Sequence, residues 1–278
     1  MLKIEETEVV GWRAAIRGMR NPKNSWERSD SFIPCYQKTK CHECEDNQKC
    51  AYYFEDGYGL PYKKDDFIGT NDLDLMTRLR NAGNDHRKFM RMIVVYLDIT
   101  APLYWWKEFK TYRAGRKFGG PEPDIIDPEL LEMDIETNSC STMHKIAAKE
   151  FTLNDFSHEH LDDEFECVKN HAADPYDGDF KTSIGILLDT IEGLNWWRKQ
   201  YLHQKEINAG PERLKWCWWQ MIQLLPSSYN QKRTVMLNYE VLANMYKSRR
   251  NHKLDEWHTF CDWIEELPYS ELITGEKK

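Results

Sequence analysis

Residues 75–113 read LMTRLRNAGNDHRKFMRMIVVYLDITAPLYWWKEFKTYR, and the fold turns on the middle of that stretch, Met92–Thr100 (MIVVYLDIT). Nearly every position there is β-branched or apolar, the pattern of a strand buried on both faces. Ala101-Pro102 then opens a helix, because proline suits a first helical turn. That helix, Leu103–Arg113, carries Tyr104, Trp105, Trp106 and Phe109. Upstream, Thr70 or Asn71 can cap another helix, with Asp72 and Asp74 favouring its positive end. Leu73, Met76 and Leu79 give that helix an apolar face, and Gly83 supplies its stop.

Further outward, residues 2–20 predict a strand and then a short helix around Trp12–Met19. Residues 21–68 are rich in Cys, Asp, Lys and Tyr but poor in aliphatics, so about 30–68 reads as a Cys-rich insertion. Residues 114–137 carry glycines, prolines and an acidic run, which predicts a second, loop-like insertion. Residues 155–182 are again acidic and irregular. Helical patterns follow at Ile184–Leu202 and at Trp216–Leu225, which ends on Pro226. A helix is expected from about Arg233 to Ser248, since Leu237, Val241, Met245 and Ser248 share one face. Trp257–Leu267 forms a further helical piece. With no internal repeat, the chain reads as one α+β domain over 1–278, a central sheet flanked by helices.

The 278 residues include 11 Trp, 14 Tyr and 11 Phe. Aromatic rings fill cores and also make walls for planar ligands. A net charge of -8, with no basic stripe beyond short clusters such as 247–250, argues against nucleic acid as the principal partner. The most apolar run, Met92–Trp106, is broken by Asp98 and Pro102, so no membrane span is read. The first residues lack a secretory apolar core, and the chain reads as cytoplasmic with reduced cysteines. Cys35, Cys41, Cys44 and Cys50 form C-x5-C-x2-C-x5-C. Four thiolates can complete a structural zinc site, with His42 able to replace one, or they remain free thiols.

The order helix–Gly, strand–Ala-Pro, aromatic helix in residues 74–113 resembles the flavin-dependent thymidylate synthase family (ThyX-like). Residues 224–257, LLPSSYNQKRTVMLNYEVLANMYKSRRNHKLDEW, are similar to it too: Asn238, Asn244 and Arg249 keep its intervals of six and five. The family signature is Arg-His-Arg, a spacer, then Ser-x-Asn-Glu-x-Ser-x-Arg. Here Thr111-Tyr112-Arg113 keeps the last arginine of the first part. In Asn138-Ser139-Cys140-Ser141-Thr142-Met143 the asparagine and second serine fit; Ser139 replaces the glutamate and Met143 the closing arginine. Met143 cannot make the charge-assisted bond that arginine makes to a substrate phosphate. Either another cation substitutes (Lys145, Arg116 or Lys117) or the substrate is not dUMP.

The resemblance implies conversion of dUMP to dTMP with FAD as cofactor, and methylene-tetrahydrofolate and NAD(P)H as co-substrates, in a homotetramer that shares flavin between subunits. It makes Arg249 the electrophilic stabiliser at the pyrimidine carbonyls and Ser141 the hydroxyl beside the reacting ring. Asn138 and Lys145 join them on the substrate, while Asn238, Asn244, Arg113, His86 and Arg87 hold flavin. Each residue also has an ordinary reading. Arg249 and Arg113 are helix-end cations, Ser141 is an N-cap before a helix at His144–Lys149, and Asn244 is an amide needing a partner on an apolar face. Cys140 is a buried thiol or a nucleophile. Two other functions stay open: a flavin enzyme acting on a different pyrimidine nucleotide, and a non-catalytic assembly protein that keeps only the shell.

Overall fold

The computed structural model describes residues 2–31, 68–109, 135–169 and 180–275. In chain order the elements are β1 (Lys3–Val10), α1 (Trp12–Arg20), α2 (Thr70–Asn81), β2 (Val94–Pro102), α3 (Leu103–Phe109), β3 (Ile135–Ser139) and α4 (Thr142–Lys145). There follow β4 (Glu166–Lys169), β5 (Phe180–Thr182), α5 (Ser183–Glu206), α6 (Pro211–Leu224), β6 (Asn230–Asn238), α7 (Tyr239–Arg249), α8 (Asp255–Glu266) and α9 (Glu271–Thr274). A four-stranded antiparallel sheet has the order β1-β2-β6-β3, and β4 pairs with β5 apart from it. This is the mixed helix-and-sheet architecture expected. The Cys35–Cys50 cluster, Arg113 and nearly all of the 114–137 stretch lie outside the described residues.

Three expectations need correction. The strand at Met92–Thr100 is not buried on both faces. Val95, Leu97, Ile99 and Ala101 point into the core, whereas Tyr96 is 40% exposed and Met92, in the preceding turn, 48%. Helices cover one face, and ions occupy the other: Lys232 reaches Asp98 at 3.0 Å and Glu5 at 3.6 Å, and Thr234 donates to Asp98 at 2.7 Å. An antiparallel sheet tolerates one polar face, and these residues supply it.

Second, residues 230–238 are strand and not the start of a helix. Gln231, Arg233, Val235 and Leu237 turn inward while Lys232 and Thr234 turn out, a period of two. The four-residue spacing belongs to α7 alone, and Asn238 begins it: its Oδ1 accepts from the backbone N–H groups of Glu240 and Val241 at 3.1 and 3.0 Å. Asn238 is therefore an N-cap, not a residue on the same helical stripe as Arg249.

Third, α2 is capped from a distance. Gly69 holds the N-cap position, while the Asp30 carboxylate accepts from Asn71 and Asp72 N–H at 2.9 and 3.1 Å. Asp72 itself turns inward, fully buried, onto Arg20.

The larger core joins the inner sheet face to α1, α2, α3, α7, α8 and α9. Trp105 is its aromatic hub, with ring centroids 4.9 Å from both Phe109 and Trp257. A smaller core forms where α5 and α6 close over Ile146, Phe151 and Phe156. On the outside of that helical pair Trp196, Trp216 and Trp219 stay exposed. Among the described residues, no helix is long and apolar enough to cross a membrane.

Candidate active site

The sequence-derived residues fall into three groups, all ordered by β6 and α7. The first lies where α7 meets the turn before β2. Glu240, in the first turn of α7, is 0% exposed. Its carboxylate accepts from Arg87 Nε at 3.1 Å and from Arg91, through both Nε and Nη2. Arg87 Nη2 then donates to Asn244 Oδ1 at 3.1 Å, one helical turn beyond Glu240. Arg87 and Asn244 are thus brought together, and the Asn244 oxygen has the partner its position demanded. His86 is exposed at the head of that turn. Sequence reasoning missed Glu240 and Arg91, because a glutamate in a helix's first turn ordinarily reads as a solvated charge favouring the dipole.

The second group surrounds Arg249. Its Nη1 lies 3.1 Å from Glu108 Oε2, and its guanidinium stands 5.0 Å over the Trp257 ring. The same Glu108 oxygen accepts from Trp257 Nε1 at 3.2 Å and lies 3.6 Å from His252 Nε2. Leu254 N–H donates to His252 Nδ1 at 3.1 Å, which selects the tautomer with its proton on Nε2, facing Glu108. Arg249 is more than a helix-end cation: α3, α8 and the turn after α7 converge on it. Close by, Tyr104 donates to Glu256; burial, helped by that bond, pushes the phenol up to about 12 and keeps it a donor.

The third group lines a cleft of ≈ 260 Å³ at the start of β6. Its walls include Cys140, Ser141, Lys149, Asp155, Tyr229 and Gln231, with Asn230 and Lys232 beside them. Ser141 does act as an N-cap, its Oγ accepting from His144 N–H at 3.1 Å; the capped helix, α4, is shorter than the expected His144–Lys149. The same Oγ is 2.9 Å from His144 Nδ1, a partner the sequence reading did not single out. Asn138 lies on β3 opposite Thr234, exposed, and Lys145 is exposed in the last turn of α4. Cys140 is exposed, not the buried thiol weighed from the sequence. Lys149 pairs with Asp155. Burial works to raise the Asp155 carboxyl, but hydrogen bonds from Lys149 and Thr152 outweigh it and hold it below the usual range.

Asn238 and Gln231 stand seven residues apart on β6, or about 23 Å at the ~3.3 Å rise of a strand. Ser141 and the Arg87–Asn244 pair therefore occupy opposite ends of one strand, and neither Arg87, Asn244 nor Arg249 lines the cleft.

No protein-family model matches the chain, and no curated protein does. Solved structures do. Flavin dependent thymidylate synthase ThyX from Helicobacter pylori, complexed with FAD and dUMP, aligns over 99% of this chain and 100% of its own, at 14% identity and a TM-score of 0.52. The chain has a ThyX-like fold. A second Helicobacter pylori ThyX structure with FAD and dUMP gives the same identity and TM-score over 99% and 98% of the two chains. The UMP/dUMP methylase PolB from Streptomyces cacaoi, bound with 5-Br dUMP, follows at 10% identity and a TM-score of 0.47, over 99% and 95%, too distant to argue from. At these identities the ThyX-like likeness is one of fold.

Proposed function

We propose that this chain is a flavin-dependent enzyme that transfers a one-carbon unit to a uracil nucleotide, dUMP to dTMP, with methylene-tetrahydrofolate and NAD(P)H as co-substrates. The observation that carries the reading is the Arg87–Asn244 bond, set in a ThyX-like fold. A guanidinium pinned by a buried carboxylate meets an amide from a distant part of the chain. The donors fit FAD. The Asn238 and Asn244 amide nitrogens donate to no acceptor among the described residues, and isoalloxazine carbonyls and phosphates are acceptors. Asn238, Asn244 and Arg87 would hold it, with His86 and Arg113. Bound flavin supplies the hydride and, in this family's chemistry, carries the one-carbon unit.

The protein's own task is to position and polarise. Arg249, oriented by Glu108 and Trp257, would face the pyrimidine carbonyls and stabilise the charge that develops on the ring. Ser141 would set a hydroxyl beside that ring, with Asn138 and Lys145 at the substrate's edge. The distance along β6 between Ser141 and the Arg87–Asn244 wall supports a homotetramer, in which one copy completes another's site. Within this reading the 1–278 chain works as one domain, and Cys35, Cys41, Cys44 and Cys50 either bind a structural zinc or stay free thiols. Met143, where the family has its closing arginine, favours a second reading in which the same machinery acts on a different pyrimidine nucleotide.

Complementation of a thymidine auxotroph tests the first reading; growth without thymidine is the expected result. In a tritium-release assay on labelled dUMP, Arg249→Ala is expected to lower kcat/KM by about 10–100-fold, the worth of one charged hydrogen bond. No growth together with bound flavin would move the assignment to the second reading. An active enzyme indifferent to Arg249→Ala would remove that residue from the chemistry.

A further inference from the structure

Helix α5 is apolar on more than one side. Leu187, Ile191 and Leu194 fill the smaller core with Met221 of α6, which accounts for one stripe. On the opposite stripe, at ~100° per residue, Trp196 stands 50% exposed. Trp216 and Trp219 are 48% and 42% exposed on the outer side of α6, and Leu188 is exposed on α5. A helix apolar all round is ordinarily a covered one. Single exposed apolar residues need no explanation, but these rings are contiguous. Trp197, half-buried, touches Trp196 and Trp216 with ring centroids 4.5 and 4.9 Å apart.

The charges on the outer stripe indicate what covers it. Between Asp189 and His203 that stripe presents Asp189, Glu192, Trp196, Lys199 and His203, all exposed. Acids lie seven and four residues before the tryptophan, bases three and seven after it. A two-fold axis crossing α5 at Trp196 lays a second α5 antiparallel to the first. Each residue then faces the one equally far on the other side of Trp196. Acid meets base at both ends, and ring meets ring at the centre. Such self-complementarity is what an isologous interface requires. Lys181 takes Oδ2 of Asp189 and leaves Oδ1 for a partner from outside.

Helix α6 fits the same axis. The short connection at 207–210 makes α6 antiparallel to α5, and the Trp197–Trp216 contact sets their relative level. An axis through Trp196 therefore passes between Trp216 and Trp219, so that Trp216 of one copy meets the partner's Trp219. At ~1.5 Å per residue and ~10 Å across, 24 and 14 residues give an outer face of roughly 600 Å². With its rim, that approaches the ~800 Å² each partner buries in a stable dimer. A lipid surface asks for no charge order mirrored about a central ring.

We propose that the outer face of α5 and α6 is a two-fold interface with a second copy of this chain, centred on Trp196. It stands on the helical pair alone, so flavin binding or its absence leaves it untouched.

Sedimentation equilibrium of the full-length protein tests it. Wild type is expected as a dimer or larger assembly, and Trp196→Glu should raise the dissociation constant of this contact at least ~30-fold, as for a tryptophan hot spot. The charge order supplies the sharper measurement. Lys199→Glu alone sets acid against acid at both ends and should weaken association about tenfold, and Glu192→Lys should do the same with bases. The double exchange, Glu192→Lys with Lys199→Glu, reverses the order and should restore most of the loss. Should Trp196→Glu fail to fold, the exchange series on these exposed positions decides alone. A monomeric wild type overturns the proposal, as does association indifferent to Trp196→Glu or a double exchange no better than its singles. Monomer that co-sediments with phosphatidylcholine vesicles, and loses them in Trp196→Glu, would give the face to a lipid surface and overturn it too.

Discussion

Asp72→Ala is expected to lower the unfolding free energy by about 3–5 kcal/mol, the cost of breaking a buried ion pair. Asp72 and Arg20 have side-chain exposures of 0% and 5% and meet at 2.6 Å. The other Asp72 oxygen accepts from Ser29 Oγ, Ser31 N–H and Ser31 Oγ. Arg20 also donates through Nη1 and Nη2 to the carbonyls of Ser25 and Arg28, at 3.1 Å each. Removing the carboxylate strands a guanidinium and two hydroxyls at once. Burial works to raise the Asp72 pKa, but bonds from Ser29, Ser31 and Arg20 overcome it and hold the carboxyl below its ordinary value. A depressed folded-state pKa gives stability that is full above the unfolded value of ~3.9 and fades as pH falls through the folded value. Urea unfolding at neutral pH should show the full loss with an unchanged m, and the gap between wild type and Asp72→Asn should narrow below about pH 4. A change under about 1 kcal/mol for Asp72→Ala would contradict this anchoring role.

Glu240→Ala carries a comparable penalty, about 3 kcal/mol, at the low end of that range because Arg91 reaches solvent. Glu240 is the buried carboxylate that meets both Arg87 and Arg91, and it holds Arg87 against Asn244. Without it Arg87 loses its buried counter-ion and a cavity opens beneath α7. The variant should therefore both unfold earlier and bind FAD more weakly than its loss of stability alone explains. Glu240→Gln keeps the shape and one acceptor and should fall between. Equal FAD affinity in folded Glu240→Ala and wild type would separate the network from the cofactor.

Much of the architecture was legible along the chain. The run of apolar residues at 92–100 marks β2, and Ala101-Pro102 marks the entry into α3. The long helical patterns at 184–202 and 216–225 appear as α5 and α6. What stayed hidden depends on contacts distant in sequence. The spacing of Leu237, Val241 and Met245 runs backward into β6 by coincidence, and only pairing with β2 and β3 settles those residues as strand. Tyr96 looked like core because its cross-strand neighbours, Glu8 and Met236, come from other strands. The Asp30 cap, the Arg20–Asp72 pair and the Glu240 network each join segments with no local signature. Of the candidate site, Arg87 and Asn244 were singled out separately through the resemblance, and only the structure shows that they meet. The inward turn of Arg233 was invisible because a basic residue in an amphipathic segment reads as surface.

The central claim, that the wall of Asn238, Asn244 and Arg87 holds a flavin, is tested most directly by titrating the purified full-length protein with FAD and following the quenching of flavin fluorescence. Saturable binding that weakens about tenfold or more in Asn244→Ala and in Arg87→Ala, both still folded, is the result expected. Absence of saturable binding in the wild-type protein, or binding indifferent to both substitutions, would contradict it.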